Sequence, residues 1–191
     1  MSHTVTAASR KVTVGPPGGP TYKIPAGFKI TSTGEAPYDL ELALEWSEDE
    51  RRHTLRKVTF TSTDGGEPVR MSQIMRVAIA ELIERALQEH VLGAQGWPGV
   101  VAAQDPELDQ ERVDALVYLL SVALGGQRPS ATVAVARGLS PASGPKRVSI
   151  ARKAGLIPAT DPGRPSAGLG SFDTATATAR TAGTSASRSR R

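Results

Sequence analysis

The hydrophobic pattern of the first 63 residues predicts β-strands. In residues 38–46 the apolar side chains of Leu40, Leu42, Leu44 and Trp46 alternate with polar or small ones. A period of two is typical of a strand with one buried and one solvated face. Further strands are predicted at residues 10–14, at 22–32 with a break at 25–27, and at 54–63. We expect 38–46 and 54–63 to pair in antiparallel fashion, and residues 1–9 to be frayed.

The pattern changes to helical spacing after residue 70. From Met71 to Leu87 apolar residues recur every three or four positions, which predicts a helix over 71–92. Its apolar face is expected to pack on the sheet, with a dimer seam as the alternative. Residues 93–104 hold three glycines and a Trp-Pro pair, so they predict a linker with Trp97 as a packed anchor. A second helix is predicted from Asp105-Pro106 to about Leu124.

These elements define an α+β fold class: a small antiparallel sheet with one long helix, a three-helix helix-turn-helix module, and a tail. We predict an N-terminal α+β domain over residues 10–92 and the helical module over 105–157. Residues 158–191 are rich in Ala, Thr, Ser, Gly and Pro and end in Arg-Ser-Arg-Arg. Such a composition predicts a disordered basic tail.

Charge is distributed unevenly along the 191 residues, whose net charge is +4. Residues 1–124 carry a balance of −5 and residues 125–191 a balance of +9. Residues 125–157 contain six basic side chains and no acidic one. A cationic face on a helical module suits a polyanion, and double-stranded DNA is the first candidate. We expect these cations to form one outward ridge.

The composition excludes several other classes. The chain has no cysteine, and its three histidines are far apart, so no metal site and no cofactor are predicted. The Gly- and Pro-rich residues 15–20 predict a loop, because they lack the Gly-Lys-Ser/Thr ending of a nucleotide-binding P-loop. Neither a signal peptide nor a membrane span is expected, so we predict a cytoplasmic protein.

Residues 128–140 predict the first helix and the turn of a helix-turn-helix. Arg128-Pro129-Ser130 starts a short helix of alanine and valine, and Gly138-Leu139-Ser140 follows it. Glycine suits the turn because a positive φ costs glycine least. The side chain of Leu139 is expected to be buried in the core between the three helices. Ser140 is expected to cap the next helix with its side chain.

The segment resembles the C-terminal helix-turn-helix of many actinobacterial and actinophage proteins. Their pattern of Arg-Pro-Thr, Ala-Val-Ala, Gly-Val-Ser and Ala-Gly-Leu-Leu corresponds to Arg128-Pro129-Ser130, Val133-Ala134, Gly138-Leu139-Ser140 and Ala154-Gly155-Leu156-Ile157. The resemblance covers most of residues 20–157 and is concentrated in 107–157. It implies a DNA-binding protein whose second helix is the recognition helix.

This sequence departs from that pattern at two places. Arg137 stands where such proteins place a buried leucine, and Gly144-Pro145 falls where the helix should run. Proline inside a helix removes a hydrogen bond and clashes with the preceding turn. A late start, with Ser143 as cap and Pro145 in the first turn, is favoured over a kinked helix.

The candidate DNA-binding residues follow from side-chain chemistry. Lys146 or Arg147 is expected to donate to guanine, and Ser143 or Ser149 to bond a phosphate or a base. Arg128, Arg152 and Lys153 are assigned to phosphates. Ser130 and Ser140 complete the set.

These features predict a transcriptional regulator of bacterial or phage genes, with a possible homodimer through the N-terminal domain. An assembly protein whose helix-turn-helix serves protein contacts is the alternative. A small enzyme is the third possibility, but no catalytic residues are predicted. Neighbouring acids such as Asp105 with Glu107, or Asp109 with Glu111, are explained as helix-start charges.

Overall fold

The computed structural model describes residues 2–33, 38–63 and 77–158, and in them the chain is α+β. The strands are β1 (Ser2–Ala7), β2 (Lys11–Val14), β3 (Tyr22–Pro25), β4 (Gly27–Thr33), β5 (Tyr38–Ser47) and β6 (Arg52–Ser62). The helices are α1 (Ile79–Leu92), α2 (Gly96–Ala102), α3 (Gln110–Ala123), α4 (Pro129–Ala136) and α5 (Gly144–Lys153). Short 3₁₀ turns occupy Gly93–Gln95 and Pro141–Ser143. Residues 71–76 of the predicted helix and 159–191 of the predicted tail lie outside the described residues.

The strands form two antiparallel sheets. One has the order β1-β4-β5-β6, and the other pairs β2 with β3. The predicted alternation in β5 is confirmed, since Leu40, Leu42 and Leu44 are buried between more exposed neighbours. The predicted antiparallel pairing of β5 with β6 is also confirmed, with a register shift between Ala43 and Leu44. The predicted break in 22–32 falls between β3 and β4.

The prediction that residues 1–9 are frayed is wrong. Residues 2–7 form β1, which pairs with β4 from Ser2 opposite Thr33 to Ala7 opposite Phe28. Val5 and Ala7 pack against the hydrophobic core. The small, polar composition hid a run of β-branched residues, Thr4-Val5-Thr6, which forms a strand once β4 supplies the hydrogen-bonding partner.

Helix α1 lies against the sheet, as its periodicity predicts. Leu82, Ile83, Ala86 and Leu87 are buried in the same cluster as the inner residues of β4 and β5. The ring of His3 in β1 lies 3.1 Å from a carboxylate oxygen of Glu89. The apolar face of α1 therefore packs in the hydrophobic core.

The linker predicted at residues 93–104 is wrong. That segment forms a 3₁₀ turn and α2, whose Trp97 is only 8% exposed. The predicted role of Trp97 as a packed anchor is confirmed, because its indole Nε1 also donates to Gln88 Oε1 at 3.2 Å. Gly93 and Gly96 adopt positive φ and turn the chain into α2 rather than interrupting structure.

The predicted helix start at Asp105 is also wrong. Asp105 Oδ1 accepts a hydrogen bond from the backbone N–H of Glu107 at 2.9 Å, a local turn that competes with helix. Helix α3 begins five residues later at Gln110 and ends at Ala123, close to the predicted Leu124. None of the helices in the described part of the chain is long and apolar enough to cross a bilayer.

His53 joins the sheets to the helices. Its Nδ1 lies 2.8 Å from the Ala123 carbonyl oxygen at the end of α3, and its Nε2 lies 2.8 Å from that of Pro25 in β3. Burial lowers the pKa of His53, while the two carbonyl acceptors act in the opposite direction. The buried hydrophobic side chains of the strands and of the helices form one continuous cluster.

We expect His53→Ala to destabilise the protein by about 3 kcal/mol, because it removes the N–H donor of a ring held between two carbonyl oxygens and opens a cavity. Urea unfolding followed by circular dichroism measures the change. The matched control is His90→Ala, since His90 is exposed and its ring packs edge-on against Phe28. Equal losses in the two variants contradict the role of His53 as a junction.

Candidate nucleic-acid interface

Helices α3, α4 and α5 pack on one another at the carboxyl end of the described chain. The short helix predicted after Arg128 is α4, whose Val133, Ala134 and Ala136 are buried. Small side chains let α4 lie close to both neighbours. Val148 and Ala151 of α5 and Ile157 beyond it complete this part of the core.

The turn after α4 is closed by Gly138, which adopts φ +66°. Leu139 N–H donates to the Ala134 carbonyl at 2.9 Å and Gly138 N–H to that of Val135 at 3.0 Å, the two bonds of a Schellman motif. The same bond pair closes α3 at Gly125 and α5 at Gly155. The predicted positive φ in the turn is confirmed.

Leu139 does not plug the core as predicted, since it is 42% exposed. After the turn, the backbone of Gly144 in α5 comes close to that of Ser130 at the start of α4. A Cβ atom on Gly144 would stand 1.9 Å from the Ser130 carbonyl oxygen. The predicted side-chain cap by Ser140 is also wrong, because its Oγ lies 3.2 Å from Ser143 Oγ instead.

The late start of the next helix is confirmed. Helix α5 begins at Gly144, directly after Ser143, and Pro145 lies in its first turn, where its missing N–H costs nothing. Ser143 makes no side-chain capping bond. The Gly-Pro pair therefore starts the helix and lets it touch α4.

Asp114 on α3 is the polar centre of the three helices. Its side chain is 3% exposed, and its two oxygens accept from Arg137 Nε at 2.8 Å and from Arg147 Nε at 2.7 Å. The same guanidinium groups also donate to Gln110, through its carbonyl and its side-chain oxygen respectively. Arg137 and Arg147 thus bind α4 and α5 to one face of α3.

The exposed side of α5 carries Lys146, Ser149, Ile150 and Lys153, which we call the outward face. Their spacing of three and four residues places the four side chains next to one another. Within residues 2–33, 38–63 and 77–158, neither lysine makes an ion pair. Arg128 is exposed at the start of α4.

The cations of residues 125–157 therefore do not form a single ridge as predicted. Arg128, Lys146 and Lys153 are exposed, whereas Arg137 and Arg147 are held by Asp114. The Arg152 guanidinium lies 5.9 Å from the centre of the Tyr118 ring, with one nitrogen 3.5 Å from the hydroxyl. Of the remaining predicted residues, Ser149 belongs to the outward face and Ser130 lies where the backbones of α4 and α5 meet. Ser140 and Ser143 lie at the two ends of the 3₁₀ turn before α5.

The partners on α3 were missed by sequence reasoning. Gln110, Asp114 and Tyr118 recur every four residues and meet Arg147 and Arg152. One signal was present in the sequence: Asp114 interrupts an apolar stripe, and Arg137 stands at a position expected to be apolar. An acid and a base that both occupy core positions indicate a buried pair.

Comparisons with protein-family models, curated proteins and solved structures find no match to this chain. The assignment of function therefore depends on the geometry and chemistry of α3, α4 and α5.

We expect Asp114→Ala to destabilise the protein by about 3 kcal/mol, since it leaves two largely buried guanidinium groups without their shared acceptor. Arg147→Ala should cost about 1–2 kcal/mol, whereas Lys146→Ala should stay within about 0.5 kcal/mol. The urea concentrations at the unfolding midpoints of the three variants rank these losses of stability. Equal stability of the two α5 variants contradicts the pairing of Arg147 with Asp114.

A methyl group at residue 144 tests the contact between α4 and α5. We expect Gly144→Ala to cost about 2–3 kcal/mol, because the new Cβ meets backbone, which cannot rotate away. Pro145→Ala is the control, since Pro145 is exposed and its loss acts mainly on the unfolded chain, by less than about 1 kcal/mol. Thermal unfolding of both variants measures the two changes in stability. If Gly144→Ala is as stable as the parent, the close approach of α4 and α5 is excluded.

Proposed function

We propose that α3, α4 and α5 form a helix-turn-helix that binds double-stranded DNA, with α5 in the major groove. The protein would then act as a transcriptional regulator of bacterial or phage genes. The observation that carries this proposal is the division of α5 into two sides. Its inner side is fixed to α3 and α4 through Val148, Ala151 and Arg147, and its outward face presents two lysines that make no ion pair with any other described residue.

The dimensions and chemistry of α5 fit this role. The major groove of B-DNA is about 12 Å wide, which admits one α-helix. Lys146 lies in the first turn of α5, the part of a recognition helix that meets base edges, and Ser149 lies one turn further on. Lys153 at the end of α5 and Arg128 at the start of α4 are suited to phosphates. Arg147 is left out of the base-reading set because Asp114 and Gln110 bind its guanidinium.

The resemblance to actinobacterial and actinophage helix-turn-helix proteins supports the same function. The turn glycine of that pattern corresponds to Gly138, which has the φ the motif requires, and the Ala-Gly-Leu ending corresponds to the Schellman turn at Gly155. A homodimer through the sheet half belongs to this proposal, because helix-turn-helix dimers read two half-sites about one helical turn apart.

A second candidate function is protein contact by the same module, in an assembly protein. The large apolar side chains most exposed in the described chain are Val135, Leu139 and Ile150, and all three belong to α4, the turn or α5. Exposed aliphatic residues are typical of protein interfaces. This candidate predicts binding that barely depends on salt.

The salt dependence of duplex binding tests the proposed function. Neutralisation of about two phosphates by Arg128 and Lys153 should give a slope of about −2 for log K against log salt. Lys153→Ala should weaken binding and make the slope shallower by about one, because it removes one phosphate contact. Fluorescence anisotropy with a duplex selected from a random pool measures both quantities.

The matched control is Lys57→Ala, which removes an exposed lysine from β6 on the sheet. It should leave the affinity and the slope within error of the parent. If the parent binds no duplex at low salt, or if the slope is near zero, the DNA-binding proposal fails and protein contact becomes the better candidate.

A further inference from the structure

We propose that Ile150 is a specificity-determining residue that contacts the 5-methyl group of a thymine in the major groove. The inference rests on the proposed DNA-binding function and names the chemical group that the middle of α5 selects. Its starting observation is an aliphatic side chain, 41% exposed, within an otherwise polar outward face.

The position of Ile150 places it at the centre of that face. Lys146 precedes it by four residues, Lys153 follows by three, and Ser149 is its neighbour in sequence. Side chains at these spacings are adjacent on a helix surface. The two lysines therefore lie one turn above and one turn below Ile150, and a polyanion that binds both of them must also cover Ile150.

The groups on the base edges of a major groove limit what Ile150 can contact. Guanine, adenine and cytosine present hydrogen-bonding groups, and thymine adds the C5 methyl group. A butyl side chain cannot bond to the polar groups, and placing it over them removes their water without replacement. The thymine methyl is the apolar group that matches it. Its burial is worth about as much as one methylene group, which corresponds to about fourfold in affinity.

The other exposed aliphatic residues do not lie between two basic residues on a helix surface. Val135 is on α4 with no lysine or arginine three or four positions away, and Leu139 is in the turn before α5. Neither is bracketed by cations, so neither is expected to be pressed against base edges. Val135→Ala therefore provides a control that removes a comparable exposed side chain without changing α5.

The experiment replaces thymine by deoxyuridine, which lacks only the 5-methyl group. A duplex is first selected from a random pool with the full chain, and each thymine in it is then exchanged singly. Affinities are measured by anisotropy for the parent, Ile150→Ala and Val135→Ala. We expect one exchange to weaken the parent about fourfold, to weaken Val135→Ala equally, and to leave Ile150→Ala unchanged.

The outcomes separate this inference from the proposed function. If the parent binds a selected duplex with a steep salt dependence but tolerates uracil at every position, the inference is overturned and DNA binding stands. If Ile150→Ala keeps the fourfold response, another residue reads the methyl group and the inference is again overturned. If no duplex is bound, the DNA-binding proposal fails and the inference fails with it.

Discussion

The arrangement of the three carboxyl-terminal helices depends on the carboxylate of Asp114. A charge that is 3% exposed is destabilising unless both oxygens are bonded, and here one arginine from the end of α4 and one from α5 bond to them. Because the guanidinium is planar and rigid, each pair also sets a direction. The orientation of α5 on α3 follows from these bonds together with the packing of Val148 and Ala151.

This arrangement holds three of the four arginines of residues 125–157 against α3. Arg137, Arg147 and Arg152 meet the carboxylate, amide and aromatic groups of Asp114, Gln110 and Tyr118, whereas Arg128 is exposed. Lysines face outward, where a strongly hydrated and mobile ammonium group costs nothing to expose. A sequence count of six cations therefore overstates the charge that the surface offers to a polyanion. Among the described residues, α5 therefore exposes fewer cations than the sequence count indicates, and its Arg147 is bound to α3.

The helices are attached to the sheets through polar contacts as well as a shared core. His53 bridges β3 and the end of α3, Arg112 on α3 donates to the carbonyl of Gly18 in the loop after β2, and Glu84 of α1 accepts from the backbone of Gln127. Ala123, whose carbonyl oxygen lies next to the His53 ring, is the last residue of α3.

The sequence by itself determined the elements whose signal is local. The alternation in β5, the periodicity of α1, the short α4, the glycine of the turn and the late start of α5 follow from neighbours a few residues apart, because pleat, helix pitch and backbone φ are local properties. Tertiary structure decided the rest. Edge strand β1 needs β4, α2 needs a surface on which to bury Trp97, and Asp114 meets partners 23 and 33 residues away. Whether a basic residue lies inside or outside depends on which remote group reaches it, and no local pattern contains that information.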